Sequence, residues 1–153
     1  MKKLPYFGFY GFIGLLVLFE LLFGNLYLLQ HAADQAKNLG ISESGVLFRT
    51  IILSVLDLIA AFGAFEACVA VYNNNASQLK QAGITAFAGF GLYGIYQFLS
   101  AWIYLPESYK ISYTAFGILY FFLGLFSFMV SRKYVKDWLS DEKNASKNVS
   151  KKK

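Results

Sequence analysis

Apolar residues in this chain gather into four long runs, at about 6–29, 47–72, 82–105 and 111–131, with short polar stretches between them. Each run is apolar on every face and lacks the polar stripe, at a period of 3.6 residues, that a helix in a water-soluble bundle would show. Each also reaches the roughly 20 residues that a helix needs to cross a hydrocarbon core about 30 Å thick. The pattern predicts an all-α fold, an integral membrane bundle of four transmembrane helices in residues 1–131 followed by a basic tail at 132–153. Connections this short make consecutive helices antiparallel neighbours.

The interruptions carry their own signals. Pro106, in LPES at 105–108, prevents the third helix from continuing. The stretch NNNASQLKQ at 73–81 reads as a polar turn. In the longest connection, about 30–46, QHAADQAKNLG is predicted to extend the first helix as far as Gly40, with Ser42 or Ser44 capping the second span. Beyond Arg132, KYVKDWL prolongs the fourth helix as a short cytoplasmic extension, whereas SDEKNASKNVSKKK has almost no apolar residues and is expected to be disordered. The first run outlasts a secretory signal core and contains Glu20, so it is read as a retained signal-anchor.

Composition agrees with the pattern. The chain is 57% hydrophobic and 19% aromatic, more than a soluble domain of this size can bury. The net charge of +5 resides in the tail, where eight basic residues face three acidic ones, and the rest of the chain is neutral. Arg132, Lys133, Lys136, Lys143, Lys147, Lys151, Lys152 and Lys153 are therefore expected to lie against anionic lipid headgroups, each worth about 1 kcal/mol near the surface. No nucleic-acid partner is implied. Lys2, Lys3 and Lys80 fall on the same side as the tail, while Lys37, Arg49 and Lys110 on the other side are offset by Asp34, Glu43 and Glu107. This bias places both termini in the cytoplasm. The sequons at Asn75, Asn144 and Asn148 share that side and should carry no glycan.

Three acids, Glu20, Asp57 and Glu66, interrupt the apolar runs, and the single basic residue there, Arg49, stands at an outer edge. No basic partner is thus expected inside. An ionised acid at mid-membrane costs about 2.5–3.5 kcal/mol, so a proton, a bound cation or a basic residue of another chain must satisfy each one. At about 1.5 Å per residue, Glu20 and Asp57 lie at equal depth, with Gln97 level and Tyr120 within a turn. These four predict a buried polar layer in which Gln97, Tyr96 or Tyr120 hydrogen-bonds the acids.

Asp57 shares a helix face with Ala60, Ala61, Ala64 and Cys68, a small-residue strip that points it into the bundle. Glu66 falls on the opposite face among Val55, Ile59, Phe62 and Val69, at the depth of Tyr10 and Ser127. Glu66, Tyr10 and Ser127 are expected to form a contact with a partner subunit. Gly8, Gly11 and Gly14 in the first span and Gly83, Gly89, Gly91 and Gly94 in the third predict close helix packing. Tyr93, Gln97, Ser100 and Tyr104 recur at helical spacing and share a face.

One histidine, His31, and one cysteine, Cys68, exclude a bis-histidine haem, a redox dithiol and a cysteine zinc site within this chain. A phosphate loop, a serine nucleophile motif and HExxH are also missing from the sequence. No cofactor, metal or enzymatic activity is expected. In gross architecture the chain resembles small multidrug transporters, which carry a membrane-embedded glutamate in the first of four spans, where Glu20 lies here; no flanking motif is shared. The leading expectation is a non-enzymatic accessory or structural subunit, assembled with itself or with other membrane subunits through small-residue faces and buried carboxylates. The alternative is a small proton- or cation-coupled transporter using Glu20 and Asp57.

Overall fold

The computed structural model describes residues 3–150, with side chains as far as Ser140. Every element in it is helical: α1 (Leu4–Phe19), a π-helical segment (Glu20–Asn25), α2 (Leu26–Gln30), α3 (Ala32–Leu39), α4 (Glu43–Tyr72), α5 (Ala76–Tyr104) and α6 (Glu107–Ser150). Four stretches, Leu4–Gln30, Glu43–Tyr72, Ala76–Tyr104 and Glu107–Ser140, are long and apolar enough to cross a membrane.

The long helices begin before the apolar runs do, and two of them are started by polar capping residues. Ser42 is the cap of α4, its Oγ accepting from the Gly45 N–H at 3.1 Å. Asn75 caps α5 in the same way, Oδ1 accepting from the Gln78 N–H at 3.0 Å, so the turn expected to reach Gln81 is only Asn73 to Asn75. Asn74 takes the left-handed conformation there, at φ 53°, which asparagine tolerates better than most residues. His31, at φ −116° and ψ 28°, breaks the chain after Gln30. Ala32–Leu39 is therefore a separate short helix and not an extension of the first span, and it ends at left-handed Gly40.

The fourth helix runs on to Ser150, where composition predicts disorder. Its packed turns have already met the cost of nucleation, and each further residue requires only propagation. Lys151 to Lys153 lie outside the described residues.

Consecutive long helices pack side by side, α1 on α4, α4 on α5 and α5 on α6. Rising residue numbers on one meet falling numbers on the next. Gly63 meets Ala86 and Gly89 meets Ala60 between α4 and α5, while Gly94 meets Gly117 and Gly83 meets Ser131 between α5 and α6. A Cβ placed on Gly89 would stand 2.6 Å from the Ala60 Cα, so these backbones are in direct contact. The small residues of α4 and α5 are thus engaged within the chain itself.

The first helix is seated differently, on side chains: Gly14 faces the ring of Phe65 and Gly11 the Sγ of Cys68. It reaches α6 near the termini, where the rings of Tyr6 and Tyr134 are 4.7 Å apart and the Tyr10 hydroxyl donates to the Ser127 carbonyl at 2.8 Å. Outward faces carry Phe12, Phe19, Phe23, Phe48, Phe62 and Phe122, all exposed. A contiguous apolar surface of this kind suits lipid and not water.

Replacing Gly89 with Val should push α4 and α5 apart and cost about 1–3 kcal/mol. Gly8→Val should be silent, since nothing lies within 4 Å of a Cβ there. Unfolding midpoints in detergent micelles check the contrast, and equal midpoints would contradict the close approach.

Candidate functional site: a polar cleft between the first, second, third and fourth spans

Glu20 and Asn25 open and close the π-helical segment, and its hydrogen bonding explains their partnership. In an α-helix two residues five apart diverge by about 140° around the axis. A π turn bonds residue i to i+5, as the Leu26 N–H does to the Leu21 carbonyl, and so returns the fifth residue to the same side. Glu20 and Asn25 consequently both face α4 and α5. Asn25 Nδ2 donates to Asp57 Oδ2 at 2.7 Å, and Tyr93 Oη donates to Glu20 Oε1 at 2.7 Å.

Asp57 is completely enclosed. Its Oδ1 has no hydrogen-bond partner among the described residues, and the same holds for the hydroxyl of Tyr120. The ring of Tyr120 stacks on Tyr93 with centroids 4.2 Å apart. Two carboxyl groups therefore share one small volume with two tyrosines and one asparagine.

Arg49 corrects the expectation that no basic group lies inside. It is 6% exposed, and α3 covers the start of α4 through Ala32, Ala36 and Val46. Because α4 begins at Glu43, Arg49 stands six residues, about 9 Å, into the helix. Its Nη2 donates to Gln97 Oε1 at 2.5 Å and its Nε to Ser100 Oγ at 3.1 Å. The guanidinium carbon sits 4.7 Å from the centre of the Tyr113 ring, a contact worth up to about 2 kcal/mol when desolvated. Neutral oxygens and a ring hold the cation. Among the described residues the one ion pair is Lys110–Glu107, on the surface.

A cavity of about 270 Å³ joins these groups, with Glu20, Asn25, Arg49, Tyr93, Gln97 and Tyr113 on its walls. Ser112 and Phe116 of α6 also line it.

The structure thus puts Glu20 and Gln97 on one cleft, Asp57 behind its wall residue Asn25, and Tyr120 behind Tyr93. The hydrogen-bond partners differ from those expected. Tyr93 and Asn25 bind the acids, Gln97 binds Arg49, and Tyr96 faces another cavity. Asn25 and Arg49 are the residues that sequence reasoning missed, and the adjoining Gly24-Asn25 pair inside an apolar run was the available signal for the first. Of the face shared by Tyr93, Gln97, Ser100 and Tyr104, only Tyr104 is exposed.

Glu66 is half-buried on α4 between exposed Phe62 and Val69. Tyr10 and Ser127, grouped with it by depth, are both 0% exposed. They cannot form a surface patch, because the Tyr10 hydroxyl must find an acceptor in apolar surroundings and takes the Ser127 carbonyl. Arg132, Lys133 and Lys136 are exposed, with Arg132 4.7 Å from the centre of the Phe128 ring. Lys143 and Lys147 belong to the stretch where only the backbone is described, and Lys151, Lys152 and Lys153 lie outside it. Among the described residues no group of three or more His, Cys, Asp or Glu could hold a metal ion.

A double-mutant cycle on Glu20→Gln and Tyr93→Phe should return a coupling of about 0.6 kcal/mol, up to about 1.7, the range for hydrogen bonds inside membrane bundles. Reversible unfolding in mixed micelles reads it, and strictly additive losses would mean that the bond is not made. No protein-family model, curated protein or solved structure matches this chain.

Proposed function

We propose that this chain is a non-enzymatic integral membrane protein with four antiparallel spans and both termini cytoplasmic, and that its cleft carries a small polar solute together with a proton. The observation that supports the reading is a cavity of about 270 Å³ walled by one acid, Glu20, and one arginine, Arg49, with a second acid, Asp57, fully buried behind its wall residue Asn25. Inside lipid the sum of buried charges must stay near zero, since each uncompensated charge costs several kcal/mol. One cation and two carboxyls reach neutrality when one carboxyl holds a proton. A site that must contain a proton, beside space for a solute, has the parts of a coupled carrier. Asp57 is the proton holder in this reading: its free Oδ1 is the one carboxyl oxygen fully enclosed without a partner among the described residues.

Reconstituted into vesicles loaded with a pH-sensitive dye, the protein should move protons inward with a solute drawn from a panel of amino acids, small carboxylates and quaternary amines. Asp57→Asn should abolish that movement while leaving the protein monodisperse. An absence of solute-dependent proton flow across the whole panel would remove the transport reading.

Assembly as a subunit of a complex or homo-oligomer is the second reading, and Glu66 favours it. This acid stands among lipid-facing side chains on α4, where a basic group of another chain would neutralise it. The small-residue faces give that reading no support, because α4, α5 and α6 already use them on one another. Purification in mild detergent should then recover companion chains in fixed stoichiometry, and Glu66→Gln should release them; a preparation free of other chains, or one unaffected by the substitution, counts against assembly.

A further inference from the structure

Arg49 also lines a second cavity, one that neither acid reaches. This cavity is also about 270 Å³ and is formed by Ser42, Gly45, Phe48, Arg49, Tyr96 and Tyr104, with Ile41 beside them. Its contents differ from those of the cleft. No carboxylate lines it, whereas Arg49, two tyrosines, Phe48 and the first turn of α4 do. The start of a 30-residue helix adds partial positive charge.

The guanidinium points to a ligand independently of that helix end. Arg49 is more than nine-tenths buried, and its guanidinium donates through Nε and Nη2 to neutral oxygens of Ser100 and Gln97, with the Tyr113 ring beside it. No carboxylate lies within ion-pairing distance of it among the described residues. A buried cation so placed is incomplete until an anion reaches it.

We infer that this second cavity binds a small organic carboxylate, with Arg49 as its anchor and the rings of Phe48, Tyr96 and Tyr104 around its apolar body. The inference rests on the coupled-carrier reading, specifies its substrate class, and seats the solute in the cavity that shares Arg49 with the cleft instead of in the cleft itself. It also fixes a stoichiometry. In the empty protein Arg49 balances one ionised acid of the pair Glu20 and Asp57, and the other is protonated. A bound carboxylate takes over that balance, so the remaining acid must accept a proton from water. One proton enters with each carboxylate, and the loaded site remains neutral.

The groups that face Arg49 are few. Tyr93 and Tyr96 come from α5 and Tyr113 from α6, Glu20 of the first span shares the cleft with Arg49, and Asp57 stands eight residues, about 12 Å, further along α4. From α3 only Ala32, Ala36 and Leu39 are buried, so Asp34 and Lys37 point away. Both ionisable carboxyl groups of the site therefore belong to the pair already named.

Benzoate is the probe, with benzamide as its uncharged counterpart, and titration calorimetry of the full chain in two buffers of different ionisation enthalpy is the measurement. Benzoate should bind at least about tenfold more tightly than benzamide, the margin of one charge-assisted contact. The difference between buffers should show one proton taken up per benzoate. Arg49→Gln should abolish binding; should that variant not fold, Arg49→Lys keeps the charge without the fork and should weaken binding by about tenfold. Glu20→Gln combined with Asp57→Asn should still bind benzoate but take up no proton.

Equal affinity for benzoate and benzamide, no binding of benzoate, or binding without proton uptake would overturn the inference. Failure of the carrier reading looks different. Benzoate would then bind with its proton in micelles while vesicles show no proton-coupled flux, whereas coupled flux of a non-carboxylate that survives in Arg49→Lys would retain the carrier and refute the anion site.

Discussion

A guanidinium withdrawn from water and held by neutral oxygens governs the arrangement of this protein. Arg49 has Gln97 and Ser100 of α5 as acceptors and the ring of Tyr113 of α6 beneath it. Three helices must converge for that to happen. The acids follow from the cation: a bundle that buries one positive charge has reason to bury carboxyl groups nearby, and a second carboxyl is then neutral or balanced by something brought from outside. Glu20 and Asp57 each have a hydrogen-bond donor already in place, Tyr93 and Asn25 respectively, so the network is organised before any ligand arrives.

Placing those donors required a departure from regular helix. The π turn at Glu20–Asn25 brings a glutamate and an asparagine to one side of the first span, and turns of this kind recur where function asks a helix for an irregular presentation. Position along the chain alone would have set Asn25 toward lipid. Its amide would then have lain unsatisfied in hydrocarbon, at a cost of several kcal/mol.

The number and order of the spans were legible because lipid leaves little choice: backbone groups must be satisfied within each segment, and a 20-residue apolar run admits one solution. The depth argument also brought Glu20, Asp57 and Gln97 near one another, since axial rise is nearly constant along a helix. Rotation about the axis was legible only for regular stretches. It placed Asp57 correctly on the strip of Ala60, Ala61 and Ala64, all buried, but could not anticipate Asn25 behind an irregular turn. Arg49 was misplaced for another reason. Hydropathy draws the edge of a span where polar residues begin, whereas α4 begins at a capping serine, and a short helix then roofs the extra turns. Tyr10 and Ser127 show the same limit, for equal depth does not say which side of a helix a residue occupies.

Seating the first helix on side chains, while the other three meet backbone to backbone, gives the bundle two mechanical parts. Helices whose glycines touch cannot slide without collision, so α4, α5 and α6 form a stiff slab. The first span rests on the ring of Phe65 and the sulfur of Cys68. Its contacts with α6 gather near Tyr6 and Tyr10, close to the termini. Its other end is fastened by polar side chains instead, Asn25 to Asp57 and Glu20 to Tyr93, so the same pairs that make up the polar layer also moor the span to the slab.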